Sequence, residues 1–177
     1  MTEPGEAVFV LSGPSGAGKT TVGRLLASRF VRGVHIEGDI FRRFIVTGRH
    51  EVTPEATPDA LRQIVLRYEL AAPAADTYFK RGFTVVLEDV IAGPLLPELL
   101  RMIKSEPCHL VVLLPSRDAV AERDRARGGG GYDRLSVDDL YGLFERGTER
   151  RGVWIDSTDM TPEETVEEIL RRTATAL

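Results

Sequence analysis

The chain has 177 residues, 42% of them hydrophobic and 28% charged, with a formal net charge of −4 at pH 7. That length fits one domain with a sizeable core, and the acidic balance argues against a duplex nucleic-acid binder, which carries a basic patch or a high pI. A single cysteine, Cys108, excludes an internal disulfide and a cysteine-rich metal site.

The predicted elements alternate. Ala7–Leu11 is a continuous apolar run, the pattern of a strand covered on both faces. Residues 19–30 read as a helix with Val22, Leu25, Leu26 and Phe30 on one side. Val34–Ile36 is a short second strand and Ile40–Val46 a short helix. Thr57-Pro58-Asp59 starts a helix, with a capping Thr and Pro at the first helical position. It runs to about Arg81, and Pro73 is expected to kink or divide it. Thr84–Leu87 is the third strand, Pro94–Lys104 a helix and Leu110–Leu114 the fourth strand. Ser116 caps a helix reaching about Arg127, Ser136–Arg146 is another, Val153–Ile155 is the last strand, and a capping box at Thr161–Glu164 opens the last helix. Five strands alternating with helices predict an α/β fold with a mainly parallel sheet and helices on both faces, a three-layer α/β/α sandwich in one domain over 1–177. Cys108 begins an apolar run and reads as a buried thiol. The three histidines, His35, His50 and His109, show no ligand spacing. No secretory signal is recognised and no apolar run approaches the roughly 18 residues of a membrane span, so a cytoplasmic protein is expected.

Between the first strand and first helix, Gly13-Pro14-Ser15-Gly16-Ala17-Gly18-Lys19-Thr20 fits G-x-x-x-x-G-K-[ST], followed by Thr21. The glycines let several backbone N–H groups converge on one hollow, and the helix after them adds its positive dipole end. Lys19 is placed to reach the β- and γ-phosphates of a nucleotide, and the Thr20 hydroxyl to ligate Mg²⁺. With only 3 lysines against 20 arginines, a bias read as codon composition, a lysine at this position stands out from its background. ATP and Mg²⁺ are the cofactors this loop implies.

Past the second strand comes Glu37-Gly38-Asp39. In an open α/β sheet, ligands gather beyond the carboxyl ends of the strands. Asp39 is placed there, beside the P-loop strand or one strand away. It can act on an attacking hydroxyl or cap the helix that follows, and the two roles are compatible. Arg42 and Arg43 lie on the next turn, with one of them expected to face an acceptor. The third strand runs into Glu88-Asp89, a Walker-B-like end in which either acid could support Mg²⁺. Arg123 and Arg127 lie four apart on one helix face before the run Gly128–Gly131. They are expected to form a lid over about 123–135 that closes on the nucleotide, excludes water and stabilises charge on the transferring group. Asp156-Ser157-Thr158 either borders the adenine or forms a simple turn.

These residues resemble the P-loop small-molecule kinases and phosphotransferases, the group of gluconate kinases, shikimate kinases and chloramphenicol phosphotransferase. The resemblance spans nearly the whole chain. It rests on Gly13–Thr20, Glu37-Gly38-Asp39, the Arg123 to Arg127 spacing and Ile155-Asp156-Ser157-Thr158. It implies a nucleoside-monophosphate-kinase-like fold with a lid, and it gives Asp39 the place facing the acceptor hydroxyl. Glu88-Asp89-Val90 is closer to the Asp-Asp-Val segment of chloramphenicol phosphotransferase than to the substrate segment of gluconate kinases. The expectation is an ATP- and Mg²⁺-dependent kinase acting on a hydroxyl of a small molecule, with Asp39, Arg42, Arg43 and Glu88 at the acceptor. A pocket is expected from residues 40–80, including Arg49, Arg62, Arg67 and Tyr68. Two alternatives stay open: a nucleotide or polynucleotide 5′-hydroxyl kinase, and a P-loop ATPase switch with no small acceptor. The expected partner is the acceptor alone, without nucleic acid or membrane, for a monomer or homodimer.

Overall fold

The structure, a computed structural model, describes residues 6–126, 128 and 135–174. Five strands form one sheet: β1 (Val8–Ser12), β2 (Gly33–Glu37), β3 (Thr84–Glu88), β4 (Cys108–Leu113) and β5 (Val153–Ile155). Their order is β2-β3-β1-β4-β5, and all four neighbouring pairs are parallel. The helices are α1 (Lys19–Ala27), α2 (Asp39–Arg43), α3 (Pro58–Phe79), α4 (Leu95–Met102), α5 (Arg117–Ala126), α6 (Val137–Gly147) and α7 (Pro162–Ala174). Parallel strands need crossovers, and these helices supply them on both faces of the sheet.

Alternate strand residues feed two separate cores. Val8, Val10, Val85 and Leu87 pack with Tyr68, Ala71, Ala72 and Ala75 of α3 and Leu96 of α4. Phe9, Leu11, Val86, Val111 and Leu113 pack with Val22 and Leu26 of α1 and Val166 and Ile169 of α7. Both faces of the central strands are therefore buried, which is why their sequences read as unbroken apolar runs.

Two local expectations change. The first helix stops at Ala27, capped at Ser28, whose Oγ donates to Leu25 O at 2.7 Å. The helix containing Pro73 is not divided: α3 continues for 22 residues. Pro73 lies on the exposed side, where water can satisfy the carbonyl that loses its partner, while the small residues Ala71, Ala72 and Ala75 hold the opposite side against the sheet. Among the described residues, no helix is long and apolar enough to cross a membrane.

Candidate active site

The loop after β1 is shaped by three glycines with positive φ: Gly13 (146°), Gly16 (89°) and Gly18 (90°). A side chain at Gly13 would run into the carbonyl of Leu113, and one at Gly16 into the carbonyl of Val120. The loop therefore needs glycine for space as well as for conformation. Gly18 caps α1 with no side-chain hydrogen bond, so the first-turn amides keep their donors for an anion. Lys19 is only 8% exposed, and its Nζ donates to Pro14 O at 3.0 Å.

A cleft of about 400 Å³ opens over this loop. Ser15, Gly16, Gly18, Lys19, Thr20 and Thr21 line one side, Glu37, Asp39, Arg42 and Arg43 the other, and Glu88, Asp89 and Val90 the floor. Three strand ends thus bring Lys19, Thr20, Asp39, Arg42, Arg43, Glu88 and Asp89 together. The strand order puts β3 between β1 and β2, so Asp39 stands one strand away from the phosphate loop.

The two neighbouring acids at the end of β3 point opposite ways, as strand alternation requires. Glu88 is on the α1 side, where it accepts a hydrogen bond from Thr20 Oγ1 at 2.6 Å. Asp89 is on the α3 side, where its Oδ2 lies 2.8 Å from Arg67 Nε in an ion pair without aligned hydrogen-bond geometry. Burial lifts the Asp89 pKa from 3.8 to about 6, against the opposing pull of Arg67. His35 Nε2 sits 3.9 Å from Glu88 Oε1, and burial pushes its imidazole below the usual value, although Glu88 and Glu37 oppose this. His35 lies in the middle of β2, and no local motif marks its approach to Glu37 and, across the sheet, Glu88.

Asp39 is the first residue of α2 rather than its cap; Gly38 holds the cap position and no side chain caps the helix. The Asp39 carboxylate is 41% exposed and faces Arg43 Nε at 3.6 Å and Arg67 Nη1 at 3.8 Å. Arg43 also approaches Glu37, at 3.8 Å. A side chain at Gly38 would overlap the Asp89 carboxylate, so glycine there lets the β2 and β3 ends come together.

Other expected residues lie elsewhere. Tyr68 is 1% exposed in the α3-side core and does not line the pocket; an aromatic on the sheet-facing side of α3 packs where burial is greatest. Arg62 is exposed and pairs with Asp59. Arg49 lines a second hollow beside Arg43. Arg123 is not in the cleft: its Nη2 donates to the carbonyls of Ser157 and Thr158, both at 3.3 Å, after β5. Arg127 and much of the expected lid lie outside the described residues.

Among the described residues, no group of three or more His, Cys, Asp or Glu side chains could hold a metal by itself. The Thr20 hydroxyl and the Glu88 carboxylate nonetheless fit Mg²⁺. Both are hard oxygen donors, they touch each other beside the phosphate loop, and Mg²⁺ commonly takes one or two protein oxygens and completes its shell with phosphates and water.

The fold and site together define a P-loop domain with the kinase-like arrangement of parallel strands, which implies nucleotide binding. The chain belongs to the AAA domain family, whose model matches residues 8–140. Solved structures share the fold across nearly the whole chain. A sugar kinase from Janibacter sp. HTCC2649 is 19% identical with a TM-score of 0.67, covering 98% of this chain and 96% of that one. A gluconokinase from Sinorhizobium meliloti 1021 is 23% identical with a TM-score of 0.61, covering 99% and 95%. Shikimate kinase from Acinetobacter baumannii, solved with shikimate, is 17% identical with a TM-score of 0.62, covering 98% and 96%. No curated protein sequence matches this chain.

Proposed function

We propose that this protein is an ATP- and Mg²⁺-dependent kinase that transfers the γ-phosphate to a hydroxyl of a small organic molecule, such as a sugar acid, an antibiotic-like compound or a similar metabolite. One observation carries the reading: a single cleft holds the phosphate loop on one side and Asp39, with Arg42 and Arg43, on the other. An acceptor hydroxyl held between the two would face both a bound triphosphate and a carboxylate.

The loop amides and Lys19 would bind the phosphates, with the Lys19 ammonium leaving Pro14 O for them. Thr20 and Glu88 would hold Mg²⁺, which supplies charge neutralisation to the phosphates. Asp39 orients the acceptor hydroxyl and takes its proton as the oxygen forms a bond to the γ-phosphorus. The bond from that phosphorus to the bridging oxygen breaks, and ADP leaves. Arg42 and Arg43 bind the acceptor. Arg123, held on the β5 side by the carbonyls of Ser157 and Thr158, would turn from them to stabilise charge on the transferring group, the role also expected of Arg127.

The test is ADP release from Mg·ATP against a panel of sugar acids, polyols, amino-alcohols, nucleosides and hydroxylated antibiotics, with a no-acceptor control. An acceptor that raises ADP release and gains the mass of one phosphate establishes the kinase and names its substrate. High ADP release that no acceptor stimulates would instead make the protein an ATPase.

A further inference from the structure

Arg67 takes no step in the proposed transfer, yet its side chain is only 2% exposed. Removing a guanidinium from water is costly unless its charge is matched. Here it lies between two carboxylates on different elements. Asp89, 4% exposed and fixed at the end of β3, is 2.8 Å away; Asp39, 41% exposed in the first turn of α2, is 3.8 Å away. The Tyr68 ring, in the core of the α3 face, lies 5.7 Å from the same guanidinium.

Among the described residues two cations face Asp39, and they differ in kind. Arg43 is 57% exposed, is shared with Glu37, and sits on the same five-residue helix as Asp39. It moves with Asp39 and cannot fix it against the rest of the site. Arg67 comes from α3, is held by Asp89 and is shielded from water, so its charge is stationary relative to the sheet. A nearly dry guanidinium also acts more strongly on a nearby carboxylate than a solvated one.

We infer that Arg67 is a positioning residue: it fixes the Asp39 carboxylate relative to the phosphate loop, and Asp89 is the anchor of Arg67 rather than a magnesium ligand. The inference rests on the role proposed above for Asp39. It divides the adjacent acids of β3 between two tasks, Glu88 serving the nucleotide through Thr20 and Asp89 serving the acceptor side through Arg67. It also assigns Arg67 no direct contact with the acceptor, because its charge is already matched inside the protein.

The experiment compares wild type, Arg67→Lys, Asp39→Asn, the pair Arg67→Met with Asp89→Asn, and that pair combined with Asp39→Asn. The paired change removes both buried charges together, so neither is left uncompensated and folding is protected. With the acceptor found in the panel, kcat should fall on the order of 10²-fold in the paired variant, with KM for ATP little changed. Arg67→Lys should recover part of the loss. In the Asp39→Asn background the paired change should cost nothing further, because Arg67 acts through Asp39. Full additivity overturns the inference, and so does a rise in acceptor KM at constant kcat, which would make Arg67 a ligand of the acceptor. If wild type releases ADP at a high rate that no panel compound stimulates, the kinase reading fails by itself. Crystal structures then decide the link without any acceptor: an Asp39 carboxylate displaced in the paired variant supports it, and one left in place refutes it.

Discussion

Thr20 Oγ1 donates to Glu88 Oε1 across 2.6 Å, which joins the phosphate loop to the end of β3 while the next residue, Asp89, turns to Arg67 on the opposite side of the sheet. Adjacent acids that look interchangeable in the sequence are separated by the pleat of one strand.

Magnesium dependence should follow that split. Glu88→Gln and Thr20→Val are each expected to raise the Mg²⁺ concentration needed for half-maximal transfer, and Asp89→Asn to leave it near the wild-type value. Rates measured against Mg²⁺ at fixed ATP check this. A larger shift in Asp89→Asn than in Glu88→Gln would reverse the assignment.

Asp39→Asn should keep nucleotide affinity and lose transfer by about 10²- to 10⁴-fold, the range for removing a positioned general base. Equilibrium binding of a fluorescent ATP analogue beside steady-state rates separates the two effects. Wild-type transfer in this variant would leave Asp39 as an ordinary first-turn acid of α2.

Stability should depend on pH through Asp89. Burial raises its pKa from 3.8 to about 6. Between those values the folded protein binds more protons than the unfolded chain. The contribution of this group is therefore full below 3.8 and is lost as pH rises through about 6. Asp89→Asn cannot titrate. The melting temperature of wild type minus that of Asp89→Asn should fall as pH rises from about 4 to about 7. A difference that stays flat would mean that this carboxyl is not shifted.

Gly38→Ala tests how closely β2 and β3 approach. Gly38 has an ordinary helical φ of −59°, so backbone strain plays no part, but an added Cβ would overlap the Asp89 carboxylate. We expect a loss of about 1–3 kcal/mol in denaturant unfolding, the range for overpacking, together with a lower kcat as Asp89 and Arg67 shift. Unchanged stability and activity would mean that Asp89 has room to move aside.

Much of this protein was legible in the chain itself. The apolar runs that mark its strands are written locally, because central parallel strands are buried on both faces. The phosphate loop is local too: Gly13, Gly16 and Gly18 are required by backbone geometry within a few residues, and Lys19 and Thr20 follow in fixed register. Other features arise only when distant segments meet. Strand order decided that β3 lies between β1 and β2, and so how far Asp39 stands from the loop. The side chosen by each residue at a strand end assigned Glu88 to α1 and Asp89 to α3. The packing of α3 against the sheet carried its helix through Pro73, put Tyr68 in the core, and buried Arg67 between Asp39 and Asp89. No spacing rule could announce that last contact. Its residues are far apart in the chain, and what brings them together is the need to match a guanidinium removed from water with carboxylates supplied by two other elements.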